Sequence, residues 1–178
     1  MRADAKRNRE RLLDAAVRAF AVQGRSDVTL DAIAKDAGVG IGTLYRHFPT
    51  REALVEAAYR NELARLCDAA GDLLRSLPPD EAMRVWMDRF VDYMATKRGM
   101  ADALRAVIAS GGNPFAESRD RLLAAITSLL SAGTGVVRDD VEPGDVLASL
   151  SGVSLASDEP AQRGRMLDLL MDGLRYGR

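Results

Sequence analysis

The sequence predicts an all-helical chain in two parts. Residues 1–50 read as an N-terminal three-helix helix-turn-helix domain, and residues 51–178 as a larger helical domain. Three observations carry that prediction. Apolar residues recur three and four apart through most of the chain, the spacing of one helix face. Strand-like alternation is missing except at Val136-Val137, a pair too short to matter. Between Val28 and Glu52, two short periodic segments meet at a glycine and are stopped by a proline.

The first helix is expected from about Asp4 to Gln23, stopping at Gly24, with Leu12, Leu13, Ala16, Val17, Phe20 and Ala21 as its apolar stripe. Lys6, Arg7, Arg9 and Arg11 crowd its start, where positive charge opposes the helix dipole. Nearby phosphates would make sense of that placement, and so would a solvated terminus. Thr29 caps the second helix by accepting from an orphan backbone N–H. Ile33 and Ala37 share its inward face, and the small Ala34 lets another helix cross closely. Gly38 permits the positive φ of a tight turn, and Val39 plugs the corner. Leu44 and Phe48 point the third helix inward, and Pro49 ends it, because a residue before proline resists the α conformation. That leaves Thr43, Tyr45, Arg46 and His47 outside, all of them hydrogen-bonding groups.

Thr50 reads as the cap of a fourth helix running through Leu54, Tyr59, Leu63, Leu66 and Leu74 to the break at Pro78-Pro79. Further helices are expected at roughly 80–98, 100–110, 115–132, 143–156 and 161–175, separated by glycine- and proline-bearing turns. No internal repeat or low-complexity segment interrupts them.

Apolar residues make up 47% of the chain, enough for a core, and no run is long enough to suggest a membrane span. The charged N-terminus is followed by no apolar stretch, so a secretory signal is not expected. A single cysteine, Cys67, rules out an internal disulfide and fits a reducing cytoplasm. The net charge of −1 hides an asymmetry. Residues 1–51 hold 10 basic against 6 acidic residues, a net of +4; the rest hold 15 against 20, a net of −5. The positive field therefore sits on the helix-turn-helix.

The run Gly38-Val-Gly-Ile-Gly-Thr-Leu-Tyr-Arg-His-Phe-Pro-Thr-Arg-Glu-Ala-Leu54 resembles the DNA-binding signature of the tetracycline-repressor (TetR) family of bacterial transcription regulators. Arg11-Leu-Leu-Asp-Ala-Ala-Val-Arg-Ala-Phe20 and Thr29-Leu-Asp-Ala-Ile-Ala34 resemble that family's first two helices, so clear motif covers about the first third of the chain. Two positions depart from the commonest pattern. Gly40 stands where a small hydroxyl residue is frequent, and Arg51 where lysine is usual. The resemblance implies a third helix lying in the major groove. It makes Thr43, Tyr45 and His47 phosphate-contacting, with Arg51 joining them from the start of the fourth helix. Ile41 and Arg46 occupy positions that can face base edges, and Thr29 belongs to the same expected DNA-binding set. Arginine can fork onto guanine O6 and N7, whereas isoleucine can only touch an apolar group such as a thymine methyl. Ile41 equally could pack inward with Leu44.

Other chemistry finds little support. Gly38, Gly40 and Gly42 lack the spacing and the preceding strand of a dinucleotide-binding turn. Gly152-Val-Ser-Leu-Ala156 falls one glycine short of a nucleophile elbow. One histidine and one cysteine do not make a zinc site. Neither an enzyme, a metal nor a cofactor is expected.

Met83, Trp86, Met87, Phe90, Tyr93, Met94, Met100, Leu104 and Ile108 form a bulky stripe on two successive helices. It serves either as plain core or as an adaptable pocket for a small apolar or amphipathic ligand, since thioethers repack around varied shapes. Trp86 and Tyr93 could supply polar handles there. A dimer interface is expected on the last two helices. Leu147, Leu150 and Ser154 are spaced by three and four on one of them. On the other, a run including Met166, Leu170 and Leu174 covers more circumference than one buried face needs. The chain thus reads as a homodimeric repressor, released from a palindromic operator by a ligand. The rival reading is a helical ligand-binding or interaction module without specific DNA reading; the basic start and the Thr43, Tyr45, His47 and Arg51 set argue against it.

Overall fold

The computed structural model describes residues 2–21 and 28–175, without the side chains of residues 2 and 3. The expected end of the first helix at Gln23 and Gly24 lies outside the described residues. Those residues form α1 (Arg2–Ala21), α2 (Leu30–Asp36), α3 (Ile41–His47), α4 (Arg51–Ser76), α5 (Pro79–Gly99), α6 (Ala101–Ala109), α7 (Ser118–Ala132), α8 (Pro143–Ala156) and α9 (Pro160–Leu174). No strand occurs among them; Val137 makes only isolated bridges, to Thr134 and Arg175. α7 starts three residues later than the spacing suggested. Glu117 adopts a left-handed φ of 63°, which no α-helix can include, and the helix begins after it.

The chain divides into two compact units, one of residues 1–62 with 96–114 and one of residues 63–95 with 115–178. This division runs elsewhere than the 50/51 boundary drawn from sequence. The first turns of α4 stay with the helix-turn-helix because Leu54, Val55, Ala58 and Tyr59 are buried there.

In the first unit, α1 buries Leu12, Leu13, Ala15, Ala16 and Phe20, and α1, α2 and α3 pack on one another. Ala32 donates its backbone N–H to Thr29 Oγ1 at 3.2 Å, so Thr29 caps α2. Gly38 takes a φ of 64°, which a side chain would resist. Thr50 caps α4 in the same way, accepting from the Ala53 N–H at 3.0 Å. The last residue of α5, Gly99, abuts the last residue of α1 so closely that a β-carbon would collide with the Ala21 backbone carbonyl. Arg60 donates to the Asn113 carbonyl at 3.1 Å and pairs with Glu56 at 2.7 Å, holding the segment after α6 against α4.

In the second unit, α8 packs between α7 and α9. Its core includes Met83, Trp86, Met87 and Phe90 of α5, Ile126 and Leu129 of α7, and Leu150 of α8. Arg84 ties α5 to α9, donating from Nε to Asp168 at 2.8 Å while pairing with Asp88 at 2.7 Å. Arg175 reaches Asp80 at 3.2 Å and adds a second link between the end of α9 and the start of α5.

Candidate nucleic-acid interface

A seven-residue helix has little reason to form alone, since nucleation costs more than one turn returns. α3 is fixed instead by its surroundings. Leu44 is fully buried, Phe48 is 3% exposed, and the Phe48 N–H closes the helix by donating to the Leu44 carbonyl at 2.8 Å. At the other end Gly40 provides the N-cap backbone but no side chain to cap with. Anchored through Leu44 and Phe48, α3 turns its remaining positions outward.

Tyr45 is 49% exposed and Ile41 37% exposed, and Arg46 is exposed beside them. Ile41 therefore does not join Leu44 in the core. Thr43 and His47 are half-buried at the edges of the same surface, His47 with its ring 6.1 Å from that of Phe48. Thr29 stands exposed at the start of α2, its hydroxyl occupied as a cap. Among the described residues, the side chains of Thr43, Tyr45 and Arg46 make no intrachain hydrogen bond or ion pair. Folding leaves their donors and acceptors unspent.

Arg51 differs from expectation. It is half-buried, donates to the Val28 carbonyl, and places its Cζ 4.6 Å from the centroid of Phe20. A planar guanidinium can stack on a ring and still present N–H edges, which an ammonium cannot do. Arginine at this position thus ties the approach to α2 to the core, with part of its fork already engaged. Sequence reasoning also missed the contacts of α1. Arg9 lies with Cζ 5.4 Å from the Phe48 centroid, and the Arg11 guanidinium covers Gly38. Arg18 pairs with Asp36 at 2.7 Å.

The bulky stripe divides between the two units. Met83, Trp86, Met87, Phe90 and Tyr93 are buried in the second, and Met94 is half-buried there. The Trp86 indole N–H donates to the Leu66 carbonyl at 2.8 Å, so this polar handle is spent on α4. Leu104 is buried in the first unit, but Ile108 is 49% exposed. On a helix of 3.6 residues per turn, positions 100, 104 and 107 fall within roughly 60° of one another, and position 108 lies about 40° beyond them. The stripe's spacing carried Ile108 one step past the buried face.

The expected dimer residues also divide. Leu147, Leu150, Ser154 and Leu174 are buried by the chain itself, Ser154 donating its hydroxyl to the Ser151 carbonyl at 2.8 Å. They are core, not surface. Met166 and Leu170 are half-buried, and next to them Leu169 is 73% exposed. On α8 the outward face carries Ala148, Gly152 and Leu155, the last 70% exposed. These outer faces form an apolar surface that shares only Met166 and Leu170 with the residues expected at a dimer interface. Among the described residues no helix is long and apolar enough to cross a membrane, and no cluster of three metal-ligating side chains occurs.

Comparison with known proteins matches both the helix-turn-helix and the helices that follow it. Residues 12–58 match the family described as bacterial regulatory proteins, tetR family, and residues 78–176 match the C-terminal domain of transcriptional regulators that are SbtR-like. The crystal structure of the TetR transcriptional regulator SCO0520 from Streptomyces coelicolor is 52% identical, covering 96% of this chain and 99% of that one at a TM-score of 0.89. A TetR transcription regulatory protein from Mycobacterium vanbaalenii is 37% identical, covering 98% of this chain and 99% of its own at a TM-score of 0.81. An HTH-type transcriptional regulator of Staphylococcus aureus strain USA300 is 40% identical over 111 residues, 60% of this chain and 58% of that relative's length. The chain thus matches little over half the length of the curated relative. These proteins are regulators rather than enzymes. With a helix-turn-helix at its start, nine helices among the described residues and both family matches, the chain belongs to the TetR family of bacterial transcriptional regulators.

Proposed function

We propose that the protein is a cytoplasmic, sequence-specific DNA-binding regulator that sits as a homodimer on a palindromic operator and represses the promoter it covers. Residues 1–50 are the DNA-binding part, and residues 51–178 carry dimerisation and the response to a small apolar or amphipathic effector. One observation carries this reading. The outer side of α3 presents the side chains of Thr43, Tyr45 and Arg46 with no partner among the described residues, on a helix pinned from behind by Leu44 and Phe48. An arginine such as Arg46 suits the forked edge of a guanine, while Tyr45 and Thr43 suit phosphate oxygens.

Two recognition helices at fixed spacing bind a two-fold site far better than one. The outer faces of α8 and α9 support such pairing, because Leu155, Met166, Leu169 and Leu170 are exposed or half-exposed on adjacent packed helices, beside the small Ala148 and Gly152. Effector release requires a ligand that binds one conformation better than the other. The thioethers of Met83 and Met87 beside Phe90 and Tyr93 are the groups that can repack around it, and Trp86, bonded to Leu66, reports the change through its fluorescence.

Selection of genomic fragments by the intact protein at moderate salt tests the proposal. It should enrich a palindromic or nearly palindromic duplex, with affinity falling steeply as salt rises. Recovery of fragments without a shared sequence would favour the rival reading of a helical interaction module.

A further inference from the structure

The cations of α1 whose side chains are described fall into two classes. Lys6, Arg7 and Arg18 each face a carboxylate, at 3.9 Å from Glu10, 2.5 Å from Asp4 and 2.7 Å from Asp36. Arg9 and Arg11 face none among the described residues, and both are exposed. They are nevertheless held in place. Arg9 lies over the ring of Phe48, the residue that closes α3. Arg11 lies over the bare backbone of Gly38, in the turn that leads into α3. Two unpaired guanidinium groups from one helix are thus set at the two ends of another.

We infer that Arg9 and Arg11 are a pair of phosphate clamps, held by α1 at either end of α3, that grip the DNA backbone on both sides of the groove α3 reads. The inference rests on the proposed function and extends it to a helix to which that reading gives no DNA contact. Its geometry fits. α3 rises about 10 Å over its seven residues, close to the roughly 12 Å width of the major groove. Guanidinium is the cation suited to the task, because its fork meets two phosphate oxygens at once. Stacking Arg9 on Phe48 and resting Arg11 on Gly38 restrains both side chains before DNA arrives, so less freedom is lost on binding. Lys6, Arg7 and Arg18 are already neutralised by their neighbours and should release fewer counterions.

The test is the salt dependence of binding, measured on the duplex enriched from genomic DNA and on an unrelated duplex of equal length. Because each arginine occurs twice in the bound dimer, Arg9→Gln and Arg11→Gln should each reduce the slope of log K against log salt by about 1.8, and the double variant by about 3.6. Both duplexes should weaken by the same factor, leaving the ranking of operator variants unchanged. Arg7→Gln should leave the slope at the wild-type value. Arg9→Lys keeps the charge and should restore the slope, which separates charge from any loss of packing on Phe48. Unaltered slopes in Arg9→Gln and Arg11→Gln overturn the inference, as does an equal loss in Arg7→Gln. If the wild-type protein itself shows no salt-dependent preference for any duplex, the failure belongs to the proposed function and not to the clamps.

Discussion

Replacing Leu169 with glutamate should dissociate the proposed dimer without unfolding the subunit. The residue is 73% exposed on the outer face of α9, while Leu167, Met171 and Leu174 hold the inner face at 4% exposure or less. Burying a leucine side chain completely stabilises by about 1.5–3 kcal/mol. Covering the 73% that is open is therefore worth about 1–2 kcal/mol in each subunit. Two-fold symmetry places the residue in the interface twice, which doubles the loss to about 2–4 kcal/mol. A carboxylate withdrawn from water adds to this. At 1.4 kcal/mol per factor of ten, the dimer should weaken at least about 30-fold. An isolated subunit should change by no more than about 0.5 kcal/mol, because the side chain lies away from the core. Sedimentation equilibrium reads the first quantity and denaturant unfolding of the separated subunit the second. Leu167→Glu is the contrast: the residue is 1% exposed, and its substitution should unfold the chain. A dimer of undiminished strength with Leu169→Glu would refute the assignment of these faces.

Three further outcomes follow from the same packing. A β-carbon at Gly40 meets no atom within 4 Å, and Gly40→Ser would supply the missing side-chain cap of α3, so thermal unfolding should show stabilisation by a few tenths of a kcal/mol. Gly99→Ala drives a methyl into the Ala21 backbone, where neither side can yield easily; it should cost about 1–3 kcal/mol, and each kcal/mol should lower Tm by about 2–4 °C. Burial pushes the Cys67 thiol up, Asp68 adds to the shift and Arg121 only partly opposes it. Its alkylation by iodoacetamide at neutral pH should therefore be slower than that of a free thiol, and should speed up on unfolding.

What could be read from the sequence was what neighbouring residues decide. Thr29 and Thr50 as caps, Gly38 at positive φ and Pro49 after α3 follow rules that span four residues or fewer, and each holds in the structure. Pairings between distant segments obey no such rule. Arg51 stacks on Phe20, Arg9 on Phe48, Trp86 donates to Leu66, and Gly99 abuts Ala21. No spacing announces any of these contacts. The last two helices show a different limit. Periodicity identifies an apolar face but not what covers it, and the most regular spacing marks the chain's own core. Leu147, Leu150 and Ser154 show such a face, expected at a dimer interface yet buried by the chain itself, whereas nothing in the spacing singles out the exposed Leu155 and Leu169.

The measurement that bears most directly on the role of α3 is a base-by-base comparison of the wild-type protein and Arg46→Ala. Affinities would be determined on the enriched operator and on every symmetric single-base variant of it, at one fixed salt concentration. The Arg46 side chain is exposed on α3 and has no intrachain partner among the described residues, as the proposed reading of a guanine requires. The variant should therefore lose about 1–3 kcal/mol of discrimination per half-site at one symmetric pair of positions, with the other preferences intact. Tyr45→Phe, run beside it, should weaken every duplex equally. Uniform weakening by Arg46→Ala across all variants, or no change at any position, would contradict the claim that this face of α3 reads the sequence.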